Sequence, residues 1–266
     1  MGALVMKTNI NRIIQWARAL KSPRVQLFRR VYPLKNSGIL AVRASSTYPA
    51  SSNFSALVTR WNKNGNLIWT RSLRINSQFG DWALGVEELS NGEILIVGNI
   101  NSSGYLASGL TLKLSASGEM IWGKMCRFFE GINFRTSLET PDGYLVAGEY
   151  LFNGNTTYRT VLIKINKLDG NLQWIKSYTS QGNIISSGPL VKTQNGYILN
   201  GINYQTASAV GGFYKHHIIY LNPDFTPQKS LDILPNRING RLAETNLFVA
   251  RMEVLRVLRE EIIPEI

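Results

Sequence analysis

The sequence predicts an all-β fold assembled from one four-stranded antiparallel sheet repeated about every 53 residues, and three observations carry that prediction. The first is a tryptophan phrase: "GNLIWTRSL" at 65–73 returns as "GEMIWGKMC" at 118–126, as "GNLQWIKSY" at 170–178 and, in degenerate form, as "INRIIQWARAL" at 10–20. Trp16, Trp69, Trp122 and Trp174 are spaced by 53, 53 and 52 residues. The second is a hairpin phrase in the same phase: "LKNSGILAVRA" (34–44), "LSNGEILIVGN" (89–99), "TPDGYLVAGEY" (140–150) and "TQNGYILNGIN" (193–203). Its glycines, Gly38, Gly92, Gly143 and Gly196, fall 54, 51 and 53 residues apart, and a fifth copy, "AETNLFVARME" (243–253), lacks the glycine. The third is the absence of a helical period inside a unit, where short β-rich runs alternate with turn residues.

The elements read in order across 83–125. "ALGVEEL" alternates as a strand, "SNG" turns, and "EILIVG" is a second strand. After the polar "NINSSGYLAS" comes a third, "GLTLKLS"; "ASG" turns and "EMIWGKM" is the fourth. Four such strands repeated at roughly 50 residues make a propeller blade. The units run 21–73, 74–126, 127–178 and 179–231, with a fifth, 232–266, completed by 9–20, in one domain over 1–266. One more period beyond Trp174 lands on Pro227, with Lys229 in register with Arg18, Arg71, Lys124 and Lys176, each two places after its tryptophan. Five blades closed by strands from both termini is the expected architecture, because closure removes sheet edges that would template aggregation. "LFVARMEVLRVLREEII" is also rich in helix formers, so four blades plus a terminal helix is the alternative. An open array completed by another subunit is a further one.

"KINKLDGNLQWIKS" and "DGYLVAGEY" resemble the repeats of bacterial β-propellers. The first is similar to the tryptophan-docking repeat of quinoprotein-like propellers, and the second to the DGGY-ILAG phrase of tandem propeller repeats. The resemblance covers nearly the whole chain and implies the architecture alone, since propellers bind, scaffold or catalyse according to their loops. No cluster of Asp, Glu or Asn matches a calcium and quinone site, so no cofactor is expected.

Charge distribution says more than the net charge of +12. From Met1 to Gly80 there are 13 Lys and Arg and no acidic residue; the other 186 residues carry 16 basic and 17 acidic groups. A one-sided field suits an anionic partner, and Arg24, Arg29, Arg30 and Lys35 are the candidate docking residues. No run reaches the roughly 18 apolar residues of a membrane span, the N-terminus lacks a secretory layout, and the lone Cys126 excludes an internal disulfide. Cytoplasmic synthesis is expected, with incorporation into a released or particle-bound assembly also open.

Catalytic and metal sites are not expected. His216 and His217 are adjacent on a strand and diverge to opposite faces, one packed and one exposed. Glu87 and Glu88 diverge likewise, Asp142 and Asp169 sit beside turn glycines, and Cys126 reads as a buried small apolar residue. A hydrolase with its site in the central channel is the enzymatic alternative. The polar segments between second and third strands gather Tyr48, Phe54, Tyr105, Tyr158, Tyr204 and Phe213 beside amides and hydroxyls, which suits a sugar or a protein partner. The aromatics of the basic first unit would also serve single-stranded nucleic acid. The reading is a non-enzymatic binding or scaffolding module docking an acidic protein. It would act as a structural or adaptor subunit of a larger assembly, a phage-tail-like or injection particle being one setting. A glycan-binding or nucleic-acid-binding propeller are the alternatives. Trp16, Trp69, Trp122 and Trp174 are assigned to the joints between blades, and Gly38, Gly92, Gly143 and Gly196 to the hairpin turns.

Overall fold

The computed structural model describes residues 2–21, 25–46, 54–75, 80–101, 107–127, 131–152, 157–178, 183–205 and 213–233. Every regular element among them is a strand. Chain order runs as a two-stranded hairpin followed by four four-stranded antiparallel meanders. The hairpin is β1 (Gly2–Thr8) and β2 (Ile14–Lys21). Blade 1 is β3 (Val25–Pro33), β4 (Ile39–Ser46), β5 (Phe54–Trp61) and β6 (Leu67–Leu73). Blade 2 is β7 (Gly80–Glu88), β8 (Ile94–Asn101), β9 (Ser108–Leu114) and β10 (Met120–Cys126). Blade 3 is β11 (Asn133–Thr140), β12 (Gly143–Phe152), β13 (Thr157–Ile165) and β14 (Leu172–Tyr178). Blade 4 is β15 (Asn183–Thr193), β16 (Gly196–Gln205), β17 (Phe213–Leu221) and β18 (Pro227–Ile233).

The cores lie between sheets, which is why the second strands read as continuous apolar runs. In β8, Ile94 and Ile96 join the cluster with blade 1 residues Leu40, Val42 and Val58. Their neighbours Leu95 and Val97 join the cluster with blade 3 residues Phe134, Tyr144 and Val146. The period-two alternation of a strand thus serves two interfaces at once. Leu145 and Ala147 repeat this toward Leu199 and Ile219 of blade 4, and Val5 and Trp16 of the hairpin pack on Ile39 and Trp61 of blade 1. Among the described residues the outer strand β18 has no such cover, and Pro227 to Asp232 are exposed.

Two details depart from the sequence reading. The chain opens on a hairpin rather than on a lone outer strand, because "GALVMKT" pairs along "IQWARALK" with Val5 buried. The last copy of the tryptophan phrase is also shifted. In each repeat the tryptophan lies three residues after the last residue of the turn, and after the turn from Asn222 to Thr226 that place is Lys229, not Pro227. The fifth unit and the terminal helix alternative fall on 234–266, outside the described residues.

Candidate functional site

One cross-strand pair recurs between the last two strands of each sheet. Lys7 is registered with Trp16, Arg60 with Trp69, Lys113 with Trp122 and Lys164 with Trp174. Directly opposed residues in an antiparallel pair share a face, so a cation and an indole emerge side by side toward the next sheet. Blade 4 exchanges the two: Tyr220 is opposite Lys229, whose ammonium stands 4.5 Å over the phenol ring.

The indole closes the seam on a turn of the following blade. Trp16 Nε1 donates to the Lys63 carbonyl at 3.0 Å and Trp69 Nε1 to the Ala116 carbonyl at 3.2 Å. The basic residue two places on continues the clamp: Arg18 donates to the Gly65 carbonyl, Arg71 to that of Gly118 and Lys176 to that of Asp224. In these three copies the basic residue of the phrase bonds a backbone carbonyl of the next blade's turn. At the last seam Phe225 replaces the turn glycine at a φ of 64°, and Trp174 packs on its ring at 4.9 Å.

The cation of the pair is neutralised in three of its four copies. Arg60 reaches Glu88 at 3.4 Å, Lys113 reaches Glu93 at 2.7 Å, and Lys164 pairs with Asp142. On the same side Lys167 meets Glu139 at 2.9 Å and Arg71 meets Glu119 at 2.8 Å. Burial raises the Glu139 carboxyl, but the Lys167 ammonium and the Ser90 N–H and hydroxyl outweigh it and hold it below the usual range. Lys7 is the exception. Its ammonium donates to the Ser37 carbonyl at 2.9 Å and has no carboxylate among the described residues. It lines an open groove of about 520 Å³ between the hairpin and blade 1, together with Gln15, Trp16, Ser37, Lys63 and Asn64.

The other candidates are dispersed. Arg24, Tyr48 and Tyr105 lie outside the described residues, and for Arg29, Phe54, Tyr204 and Phe213 only the strand backbone is described. Tyr158 is half-buried in β13, opposite Leu151. Arg30 is half-buried on β3; burial, then the Arg135 guanidinium, lowers its pKa. Lys35 contributes to the blade 1 to blade 2 seam, its N–H to Glu88 at 2.8 Å and its ammonium to the Leu89 carbonyl at 3.3 Å. Three of the four hairpin glycines sit where a side chain would meet a third-strand carbonyl, that of Trp61 for Gly38, Ile165 for Gly143 and Leu221 for Gly196.

The titratable groups of the inner strands serve the joints. Glu87 accepts from the Ser137 hydroxyl and the Glu139 N–H while Glu88 turns to blade 1, and burial pushes the Glu87 carboxyl up. Asp81 accepts the Ile75 N–H, and Glu149 pairs with Arg135. His217 is buried against Asp232, Nδ1 to Oδ1 at 2.6 Å; His216 is half-buried rather than exposed, because the blade 4 sheet continues around it. Among the described residues no group of three or more His, Cys, Asp or Glu could hold a metal ion, and no helix is long and apolar enough to cross a membrane.

No protein-family model matches the chain, and no curated protein is similar to it in sequence. Solved structures are similar in fold. "Drosophila Semaphorin 1b, extracellular domains 1-2" aligns with a TM-score of 0.50 at 7% identity over 84% of this chain and 49% of that one. "Drosophila Plexin A in complex with Semaphorin 1b" gives 0.50 at 8% over the same shares. The quinohemoprotein alcohol dehydrogenase ADHIIG from Pseudomonas putida HK5 gives 0.44 at 8% over 88% of this chain and 60% of that one. This chain has the β-propeller fold. It spans about half the length of the matched chains in the two Drosophila structures.

Proposed function

We propose that the chain is a non-enzymatic binding propeller, a structural or adaptor subunit that docks an acidic protein partner through its basic N-terminal flank. One observation carries the reading: the seam cations of blades 1 to 3 are matched with carboxylates, while Lys7, Arg12 and Lys63, in the acid-free first 80 residues, have none among the described residues. Charge left uncompensated at one end of a repeat, where the same repeat compensates it elsewhere, is a patch for an opposite charge from outside. The polar, turn-rich edge of a rigid sheet stack suits recognition of a surface rather than turnover of a small molecule. A complex between two proteins in the plexin and semaphorin structure agrees with this use of a similar fold.

The test is binding of fluorescein-labelled hexaglutamate, a minimal acidic segment, by fluorescence anisotropy. Affinity falls steeply between about 0.1 and 1 M salt, where the screening length shrinks from about 10 to about 3 Å. Reversing Lys7, Arg12 and Lys63 to Glu abolishes it, whereas the same reversal at Lys124, Lys192 and Lys229 leaves most of it. Equal losses from the two triple variants, or binding indifferent to salt, overturn the reading.

A further inference from the structure

We infer that the groove at Lys7 is a carboxylate site, which one Asp or Glu side chain of the acidic partner enters to complete the ion pair that the other blades make internally. The inference rests on the docking proposal and gives it an address.

The repeat itself supplies the precedent. At the position opposite the tryptophan, the chain places a cation four times and supplies a carboxylate to three of them, Glu88 to Arg60, Glu93 to Lys113 and Asp142 to Lys164. Lys7 keeps the cation, its indole and a carbonyl partner, and among the described residues it has no acid. An ammonium has three donors, and Ser37 takes one of them. A half-buried ammonium with donors left over favours an anion, because charge-assisted bonds gain strength as water is excluded.

The groove has the matching chemistry. Lys63 adds a second ammonium, Gln15 and Asn64 add side-chain amides, and no carboxylate lines the wall among the described residues. The Lys63 carbonyl is already taken by Trp16 Nε1, so one acceptor that would repel an anion is masked. At about 520 Å³ and open to solvent, it admits a side chain together with the strand or loop that bears it. There is no arginine fork in the lining to grip a phosphate through two parallel bonds, which favours a carboxylate met by point charges.

The experiment measures hexaglutamate against hexaglutamine on the full chain with four substitutions. Lys7→Ala weakens hexaglutamate about tenfold, Lys63→Ala about threefold, and Lys7→Arg stays within about threefold of the parent, in keeping with the strength of charge-assisted bonds. Lys113→Ala, the same position in blade 2, leaves binding unchanged and controls for damage to a seam. If Lys7→Ala binds like the parent while the triple reversal at Lys7, Arg12 and Lys63 does not, the groove is wrong and the docking proposal stands. If the parent does not distinguish hexaglutamate from hexaglutamine, both fall. A twelve-residue oligothymidylate that displaces the peptide more effectively than hexaglutamate itself makes this a phosphate site and overturns the assignment. So does tighter peptide binding when Glu244, Glu253, Glu260, Glu261 and Glu265 are changed to Gln, which would make the chain's own acid the occupant.

Discussion

Gly170→Ala and Gly92→Ala differ in one respect that isolates the seam between blades. Both glycines sit in turns with left-handed backbone, at φ of 70° and 84°. An alanine in that conformation costs roughly 1–2 kcal/mol, partly offset by about 0.4–1 kcal/mol from the less flexible unfolded chain. A Cβ on Gly92 meets nothing within 4 Å, so the cost ends there. A Cβ on Gly170 stands 2.7, 2.8 and 3.0 Å from three ring atoms of Trp122 of the preceding blade. The indole must withdraw from the turn, an overpacking cost of about 1–3 kcal/mol. Gly170→Ala is therefore expected to lose about 2–4 kcal/mol and Gly92→Ala about 1 kcal/mol, read from urea unfolding with the slope unchanged. Equal losses would refute the claim that the tryptophan rests on the next blade's turn backbone.

Other expectations follow from the same contacts. Burial pushes the Cys126 thiol up to about 11, with Lys124 opposing weakly, so iodoacetamide at pH 8 leaves it unmodified in the folded protein and modifies it in urea. Because the folded value is the higher one, its contribution is intact below the unfolded value of about 8.5 and is lost as pH rises through the folded value; rapid native alkylation contradicts this. The Glu139 carboxyl is held low, so its contribution is present above the unfolded value of about 4.3 and is lost as pH falls through the folded value. Glu139→Gln is expected to flatten the fall in urea midpoint between about pH 5 and 3, and an unchanged fall removes that ion pair from the acid limb. Closure of a fifth blade by both termini predicts that deleting 2–21 and deleting 234–266 lower Tm by similar amounts and do not add when combined; additive losses exclude a shared blade.

Much of the fold was legible because propeller strands carry their own punctuation. Turn glycines and a tryptophan at a fixed phase mark the second and fourth strands, and period-two burial on both faces fills the strands between. What misled was local. The "GALVM" run, tested only as a secretory segment and rejected as one, opens a seven-residue strand with Val5 buried. The shift from Pro227 to Lys229 arose because a fixed period takes no account of loop length, whereas the strand pairing counts from the turn. The candidate groove was hidden for a similar reason, since Lys7 belongs to no motif. A signal existed: the cation precedes the tryptophan by nine residues at Lys7, Arg60 and Lys113, and by ten at Lys164. The acids that neutralise it come from turns and neighbouring strands that no linear spacing connects to it. Arg30 and Lys35 were singled out by charge alone, yet half-burial on an inner strand and a place in a seam follow from strand pairing.

The central claim, that uncompensated cations of the N-terminal flank receive an acidic partner, is tested most directly by zero-length carbodiimide coupling of hexaglutamate to the full chain, followed by peptide mapping. Coupling needs an amine and a carboxylate in contact. The account predicts adducts concentrated on Lys7 and Lys63, suppressed in about 1 M salt where screening is severe. Adducts spread over Lys124, Lys192 and Lys229 as readily as over Lys7 would contradict it.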